Sequence, residues 1–145
     1  MNHVMSRAIR PLAALALAPT ALAPLGIGAQ TAPADMNGTW NAAPGATAVA
    51  KAIIAHTGSN YTIHVYGVCS PTPCDWGTKP LTIFAPSPAV HVGKVGMATF
   101  PQGFVTQTLV VTLNDATAPF LNVQVFDKFA PGDTRSNFVS TQTLH

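Results

Sequence analysis

One stretch of the sequence decides the fold: Tyr61-Thr-Ile-His-Val-Tyr-Gly-Val-Cys69-Ser-Pro-Thr-Pro-Cys74-Asp-Trp-Gly77. Apolar and polar residues alternate through its first half, which is the pattern of a β-strand with one buried face. The alternation puts four side chains on one face, Tyr61, Ile63, Val65 and Cys69, and four on the other, Thr62, His64, Tyr66 and Val68. The strand then enters a short loop that holds the only two cysteines of the chain.

The first 29 residues have the features of a secretory signal peptide. Arg7 and Arg10 precede an apolar, alanine-rich run that ends in small residues. The run is short for a bilayer span and is interrupted by Pro19 and Pro24, so we expect cleavage near residue 29 rather than a retained anchor. The sequence therefore predicts an exported protein, periplasmic or extracellular, with no stable membrane insertion after the leader is removed.

Export makes a disulfide the expected state of Cys69 and Cys74. The bridge closes a short loop, so it contributes about 2 kcal/mol through chain entropy and mainly holds the shape of the loop. A zinc site that adds His64 or Asp75 would need thiolates protected from oxidation. A redox-active pair usually has closer spacing at the start of a helix. We therefore predict a structural disulfide, no metal and no cofactor.

The basic character of the chain belongs to its leader. Two of the seven basic residues, Arg7 and Arg10, lie there, which leaves five bases against five aspartates in a chain without glutamate. A neutral protein has no electrostatic reason to bind nucleic acid or an anionic membrane, and we predict neither partner. Residues 30–36 are predicted to be a flexible lead-in and residues 37–145 a single β domain.

Strand signals recur at regular spacing through the rest of the chain. The predicted strands are 38–41, 48–56, 61–69, 81–85, 95–100, 104–113, 120–129 and 137–144. Short connections rich in turn residues favour an all-β, antiparallel up-and-down meander of about eight strands. Closure into a barrel, complete or nearly so, would remove edge strands that have few charges to protect them. We expect such a barrel with one disulfide-closed loop.

The start of the predicted domain, Gly38-Thr-Trp40, resembles the Gly-x-Trp entry of calycins, the group of lipocalins and avidins. The resemblance implies that Trp40 packs across the closed end of a barrel. It also implies an interior that can carry a small apolar ligand. The polar pocket residues of avidins have no counterparts that can be placed on this sequence.

The segment Cys69-Ser-Pro-Thr-Pro-Cys74-Asp-Trp-Gly77 resembles a small exported bacterial β domain of uncharacterised activity, in which a strand leads into Cys-x-Pro-Thr-x-Cys-Asp-Trp-Gly. The resemblance extends from Gly38 to the C-terminus. In that pattern a histidine often stands at the position of Ser70 and an acid at the position of Pro73. Their absence here argues against a metal or acid–base role for the loop.

Two kinds of hydrolytic site lack support in the sequence. The chain has no Gly-x-Ser-x-Gly elbow to present a nucleophilic serine. Glycoside hydrolysis needs two facing carboxylates. The five aspartates fall mostly in predicted turns, where we expect them to accept hydrogen bonds from local backbone groups. The sequence therefore favours a protein that is not an enzyme.

A binding surface is the remaining prediction. His64 and Tyr66 share one strand face, and Asp75 and Trp76 follow the loop beside it, so we expect the four to form one patch. Aromatic rings together with Asp and His can stack on and hydrogen-bond a sugar or peptide. In the alternative interpretation, Trp76 fills the core and Asp75 caps the loop backbone.

The sequence thus predicts an exported, non-enzymatic binding or structural protein, whose partner is a small molecule, a glycan or a protein. Two alternatives stay open at this point. One is a calycin-like carrier with an apolar ligand in the barrel interior. The other is a small secreted hydrolase or an inhibitor of one.

Overall fold

The computed structural model describes residues 36–145. The predicted leader, 1–29, and the lead-in up to residue 35 lie outside the described residues. The regular elements are nine strands: β1 Gly38–Asn41, β2 Val49–Thr57, β3 Asn60–Gly67, β4 Cys74–Pro80, β5 Thr82–Phe84, β6 Val95–Pro101, β7 Val105–Asn114, β8 Phe120–Phe129 and β9 Phe138–Leu144. The all-β prediction is confirmed for this part of the chain, and none of it forms a helix long and apolar enough to cross a bilayer.

The strands form two antiparallel sheets in the order of the sequence. The first sheet has the order β1-β2-β3-β4 and the second β5-β6-β7-β8-β9, which confirms the predicted meander. Alternation along each strand sends one set of apolar side chains between the sheets. Fully buried members of this core include Ile63 and Val65 from β3, Phe100 from β6, and Leu109 and Val111 from β7.

The predicted closed barrel is wrong, because the strands form two separate sheets whose backbones are hydrogen-bonded to each other at two corners. At one corner the backbones of Asn41 and His145 exchange hydrogen bonds of 2.6 and 2.8 Å. Only four residues form β1, too few for a full ladder with β9. At the other corner Pro80, which has no N–H, ends β4. The N–H of Leu81 then donates to the carbonyl of Tyr61 at 2.9 Å, and the chain enters the second sheet.

The sequence predicts eight of the nine described strands, and the strand that it does not predict is β4. Aspartate, glycine and proline are depleted in strands, and all three occur in it. Its register with β3 shifts between the pairs Val65–Gly77 and Tyr66–Asp75, so Trp76 has no partner there. Gly77 has a φ of 81°, which glycine adopts readily. This bulge allows a strand with an unfavourable composition to pair along its length.

The disulfide between Cys69 and Cys74 is present, as predicted. The Cα atoms are 5.5 Å apart, an ordinary distance for a bridged pair. The bridge links the chain just after β3 to the first residue of β4, and so holds these neighbouring strands together where they leave the sheet. Such a bond is typical of proteins outside the reducing cytosol.

A side chain of β9 also fastens the second sheet to the first. The Oε1 atom of Gln142 accepts hydrogen bonds from the N–H groups of Ala48 and Val49, both at 3.1 Å. Its Nε2 atom donates to the carbonyl of Val49 at 2.5 Å. This clamp satisfies backbone groups at the start of β2, beyond the point where β1 pairs with that strand.

Candidate functional site

The structure brings three of the four predicted patch residues together on the outer face of the first sheet. Tyr66 lies between Lys51 of β2 and Asp75 of β4 in the strand register, and His64 lies beside Thr78. These five residues are called the outer polar row. The row crosses three strands, and its members lie on the side of the sheet away from the core.

Hydrogen bonds within the outer polar row fix His64 through both ring nitrogens. Its Nε2 atom donates to Oδ1 of Asp75 at 2.7 Å, and Nδ1 lies 3.0 Å from the hydroxyl of Thr78. Asp75 also accepts from the N–H of Gly77 at 2.7 Å. The bond from Gly77, followed by that from His64, lowers the pKa of Asp75. Asp75 therefore caps the backbone at the bulge, as the alternative interpretation expects.

The ring of Tyr66 is already engaged by its neighbours. It stacks on His64 with ring centroids 4.6 Å apart and an angle of 15° between the planes. The ammonium of Lys51 lies 4.2 Å from the centroid of the same ring, a cation–π contact. These contacts leave less of the ring free to stack on a ligand.

Trp76 lies apart from the outer polar row, on the inner side of the sheet. Its half-buried side chain packs against the core, with its ring centroid 5.8 Å from that of Phe100. It covers Gly67 so closely that a Cβ atom added there would lie 2.3 Å from the indole nitrogen. The predicted patch thus has three members on one face of the sheet and the fourth on the other.

A cleft of about 410 Å³ opens between the two sheets at the end that carries the disulfide. It is lined by Gly67, Cys69 and Trp76 on the side of the first sheet and by Gln107, Asp127 and Ser140 on the side of the second. Its volume lies within the range of about 300–1,000 Å³ that is usual for small-molecule sites. Trp76 therefore belongs to this cleft.

Polar groups form the inner wall of the cleft on the second sheet. Asp127 is only 7% exposed, and its Oδ1 atom accepts a hydrogen bond of 2.9 Å from Nε2 of Gln107. The hydroxyl of Ser140 is buried and makes no hydrogen bond within the described residues. The expectation of solvated turn aspartates is wrong for Asp127, since it lies on the core face of β8.

Two exposed aromatic residues stand at the mouth of the cleft. Phe104 and Phe138 are 55% and 54% exposed, and both line the cleft. The guanidinium of Arg135 lies 4.8 Å from the ring centroid of Phe104. Asp133 holds that guanidinium through hydrogen bonds of 2.9 and 2.6 Å. Asp133 thus holds the guanidinium of Arg135 against the exposed ring of Phe104 at the mouth of the cleft.

This pair predicts a specific pH dependence. The hydrogen bonds from Arg135 lower the pKa of Asp133 to about 2, against an unfolded value of about 3.9. The Asp133–Arg135 pair therefore stabilises the folded state above about pH 4, and this contribution is lost as the pH falls through about 2. Carbon-detected NMR titration should place the Asp133 midpoint near 2, and Arg135→Gln should raise it by at least one pH unit. An unchanged midpoint in that variant would contradict the assignment, and the Asp115 midpoint serves as the internal control.

Gln107, Asp127 and Ser140 are not among the site residues that the sequence predicts. A signal for two of them was present in the alternation. Gln107 lies between Val105 and Leu109 on the predicted core face of its strand, and Asp127 lies two residues after Val125. A polar residue at a core position near a strand end is unusual unless it serves a site. The pattern did not show that Gln107 and Asp127, on neighbouring strands, lie side by side in one cleft.

No known protein family, curated protein or solved structure matches the chain. The resemblances to calycins and to the exported bacterial domain therefore stay predictions from the sequence. Within residues 36–145, no three His, Cys, Asp or Glu side chains lie close enough together to hold a metal ion.

Proposed function

We propose that this chain is an exported, non-enzymatic binding protein that holds a small ligand in the cleft between its sheets. The observation that carries the proposal is the polar inner wall, where Gln107, Asp127 and Ser140 interrupt an otherwise apolar interior. A buried polar group without a partner costs about 1–3 kcal/mol. A ligand that hydrogen-bonds to Ser140 would recover this free energy.

The form of the cleft supports the same function. Small-molecule sites are concave and mainly apolar, with a few polar groups that orient the ligand. Trp76 supplies a flat aromatic wall, and Phe138 adds apolar surface at the mouth. Farther inside, apolar side chains such as those of Leu109 and Val123 are fully buried between the sheets. We therefore assign the ligand of the calycin-like alternative to the cleft.

The arrangement of nucleophiles favours binding over hydrolysis. A nucleophilic serine needs a hydrogen-bonded base to activate it, and the Ser140 hydroxyl makes no hydrogen bond within the described residues. Thr78, His64 and Asp75 are connected in the order of a nucleophile, a base and an acid. However, Thr78 and Asp75 are exposed on the outer face of the sheet, and electrostatic stabilisation of a transition state is strong only where water is excluded. The role assigned to this network is to hold the bulge of β4.

A ligand screen by NMR tests the proposal. Labelled protein would be titrated with a set of aromatic and aliphatic small molecules that carry charges of +1, 0 and −1. We expect shifts concentrated at the amides of Gly67, Gln107 and Ser140, with little change at Ile83. The variant Ser140→Leu fills the cleft and should abolish the shifts.

The matched control is Thr141→Leu, which adds the same side chain one residue further along β9, where the residue is exposed and lies on the other face. Binding should survive in this variant. The proposal fails if no compound shifts the cleft residues, or if Ser140→Leu and Thr141→Leu bind equally well.

A further inference from the structure

One carboxylate of the cleft lining lies on the inner face of a sheet, that of Asp127. Asp75 also borders the cleft, but its carboxylate lies on the outer face, where it pairs with His64. Among the described lining residues there is no lysine, arginine or histidine. None of the ion pairs within residues 36–145 includes Asp127. Its hydrogen-bond partner is the neutral amide of Gln107. The buried carboxylate therefore lacks a counter-charge from this part of the chain.

An unpaired carboxylate in such a position attracts a cation. Burial of a charge is costly unless the charge is paired and hydrogen-bonded, and the attraction between opposite charges is several times stronger near protein than in bulk water. Asp127 is 7% exposed, so water compensates for its charge only in part.

The aromatic residues of the cleft favour the same kind of ligand. The faces of Trp and Phe rings attract ammonium groups, and Trp does so most strongly. Trp76 and Phe138 both line the cleft. The nearby guanidinium of Arg135 already contacts Phe104 and is neutralised by Asp133. Arg135 therefore does not supply the missing counter-charge for Asp127.

We propose, resting on the proposed function of the cleft, that its ligand is an organic cation with an ammonium head and an apolar body. The head pairs with the carboxylate of Asp127 and donates a second hydrogen bond to the hydroxyl of Ser140. The apolar body lies against Trp76 and Phe138. A neutral polyol could form hydrogen bonds to the same groups, but it would leave the charge of Asp127 unpaired.

Three probes of similar shape and different charge test this inference: 2-phenylethylamine, which is cationic at pH 7, neutral 2-phenylethanol, and anionic 3-phenylpropanoate. Binding is measured by isothermal titration and by the amide shifts of Gly67 and Ser140. We expect the amine to bind at least about tenfold more tightly than the alcohol, a difference of about 1.4 kcal/mol. The anion should bind more weakly than the alcohol.

Two variants identify the carboxylate responsible. Asp127→Asn keeps the shape of the side chain and an oxygen that can accept from Gln107, and it should reduce the preference for the amine to less than about threefold. Asp115→Asn removes one exposed charge, that of the partner of Lys94, away from the cleft, and should leave the preference unchanged. Far-UV circular dichroism checks that both variants are folded; if Asp127→Asn is not, the three probes on the wild-type protein decide alone.

The outcomes separate the two proposals. If neutral or anionic compounds shift the cleft residues as strongly as the amine, the ligand class is wrong and the binding function stands. The same holds if Asp127→Asn keeps the full preference for the amine. If neither the probes nor the wider screen shift the cleft residues, both proposals are wrong.

Discussion

Replacing Gln142 by alanine is expected to lower the free energy of unfolding by about 3 kcal/mol. The substitution removes the partner of three backbone groups, the N–H groups of Ala48 and Val49 and the carbonyl of Val49. Each buried group left without a partner costs about 1–3 kcal/mol. The site is part-buried, so water can enter and replace some of these bonds, and the total stays near the lower end of the sum. Urea unfolding followed by fluorescence measures the loss.

The same substitution at Gln124 is the matched control. Gln124 is exposed on the neighbouring strand β8, and its replacement by alanine should change stability by no more than about 0.5 kcal/mol. If the two variants unfold at the same urea concentration, Gln142 does not act as a clamp between the sheets. We also expect Gln142→Ala to broaden the NMR signals of Ala48 and Val49, since β9 no longer holds the start of β2.

Replacing Trp76 by alanine is expected to cost about 3 kcal/mol of stability. Truncation of a buried Phe or Trp usually costs about 3–5 kcal/mol. The lower end applies because Trp76 is half-buried at the cleft, although it packs against the core and Phe100. For a domain of this size the loss corresponds to a fall in Tm on the order of 10–20 °C. Differential scanning calorimetry measures it.

Trp76→Phe is the control, because it keeps an aromatic ring against Phe100 and should cost less than about 1.5 kcal/mol. A side chain that served only an exposed surface patch would change the Tm little when truncated. An unchanged Tm for Trp76→Ala would therefore refute the inner position of the indole. The expected large fall instead assigns Trp76 to the core and to the cleft wall.

The strands that could be predicted are those in which local and tertiary preferences agree. In β3, β7 and β8 the residues expected on the core face, such as Ile63, Leu109 and Val123, are fully buried. The disulfide also followed from the sequence, because two cysteines with this spacing in a chain predicted to be exported have few other uses. Strand β4 could not be predicted from its residues, because its pairing depends on a bulge at Trp76 and on the edge that β3 offers.

The candidate site shows the same division. The sequence placed His64 and Tyr66 on one strand face, since the alternation has a period of two, and the structure agrees. It also placed Asp75 close to them. The face on which Trp76 lies depends on the register of β4, a strand that the sequence did not indicate. A shift of one residue in register moves a side chain to the opposite face of a sheet.

By itself, the sequence determined the fold class, the sequential order of eight of the nine described strands, the disulfide and most of the core, because each follows from local alternation, short connections and cysteine chemistry. Only the tertiary structure decided whether the sheets close, where Trp76 points, and that Gln107, Asp127 and Ser140 meet in one cleft. The physical reason is that these features depend on contacts between distant segments. Gln142 reaches the start of β2 across 93 positions of the chain, and no local pattern encodes such a pairing.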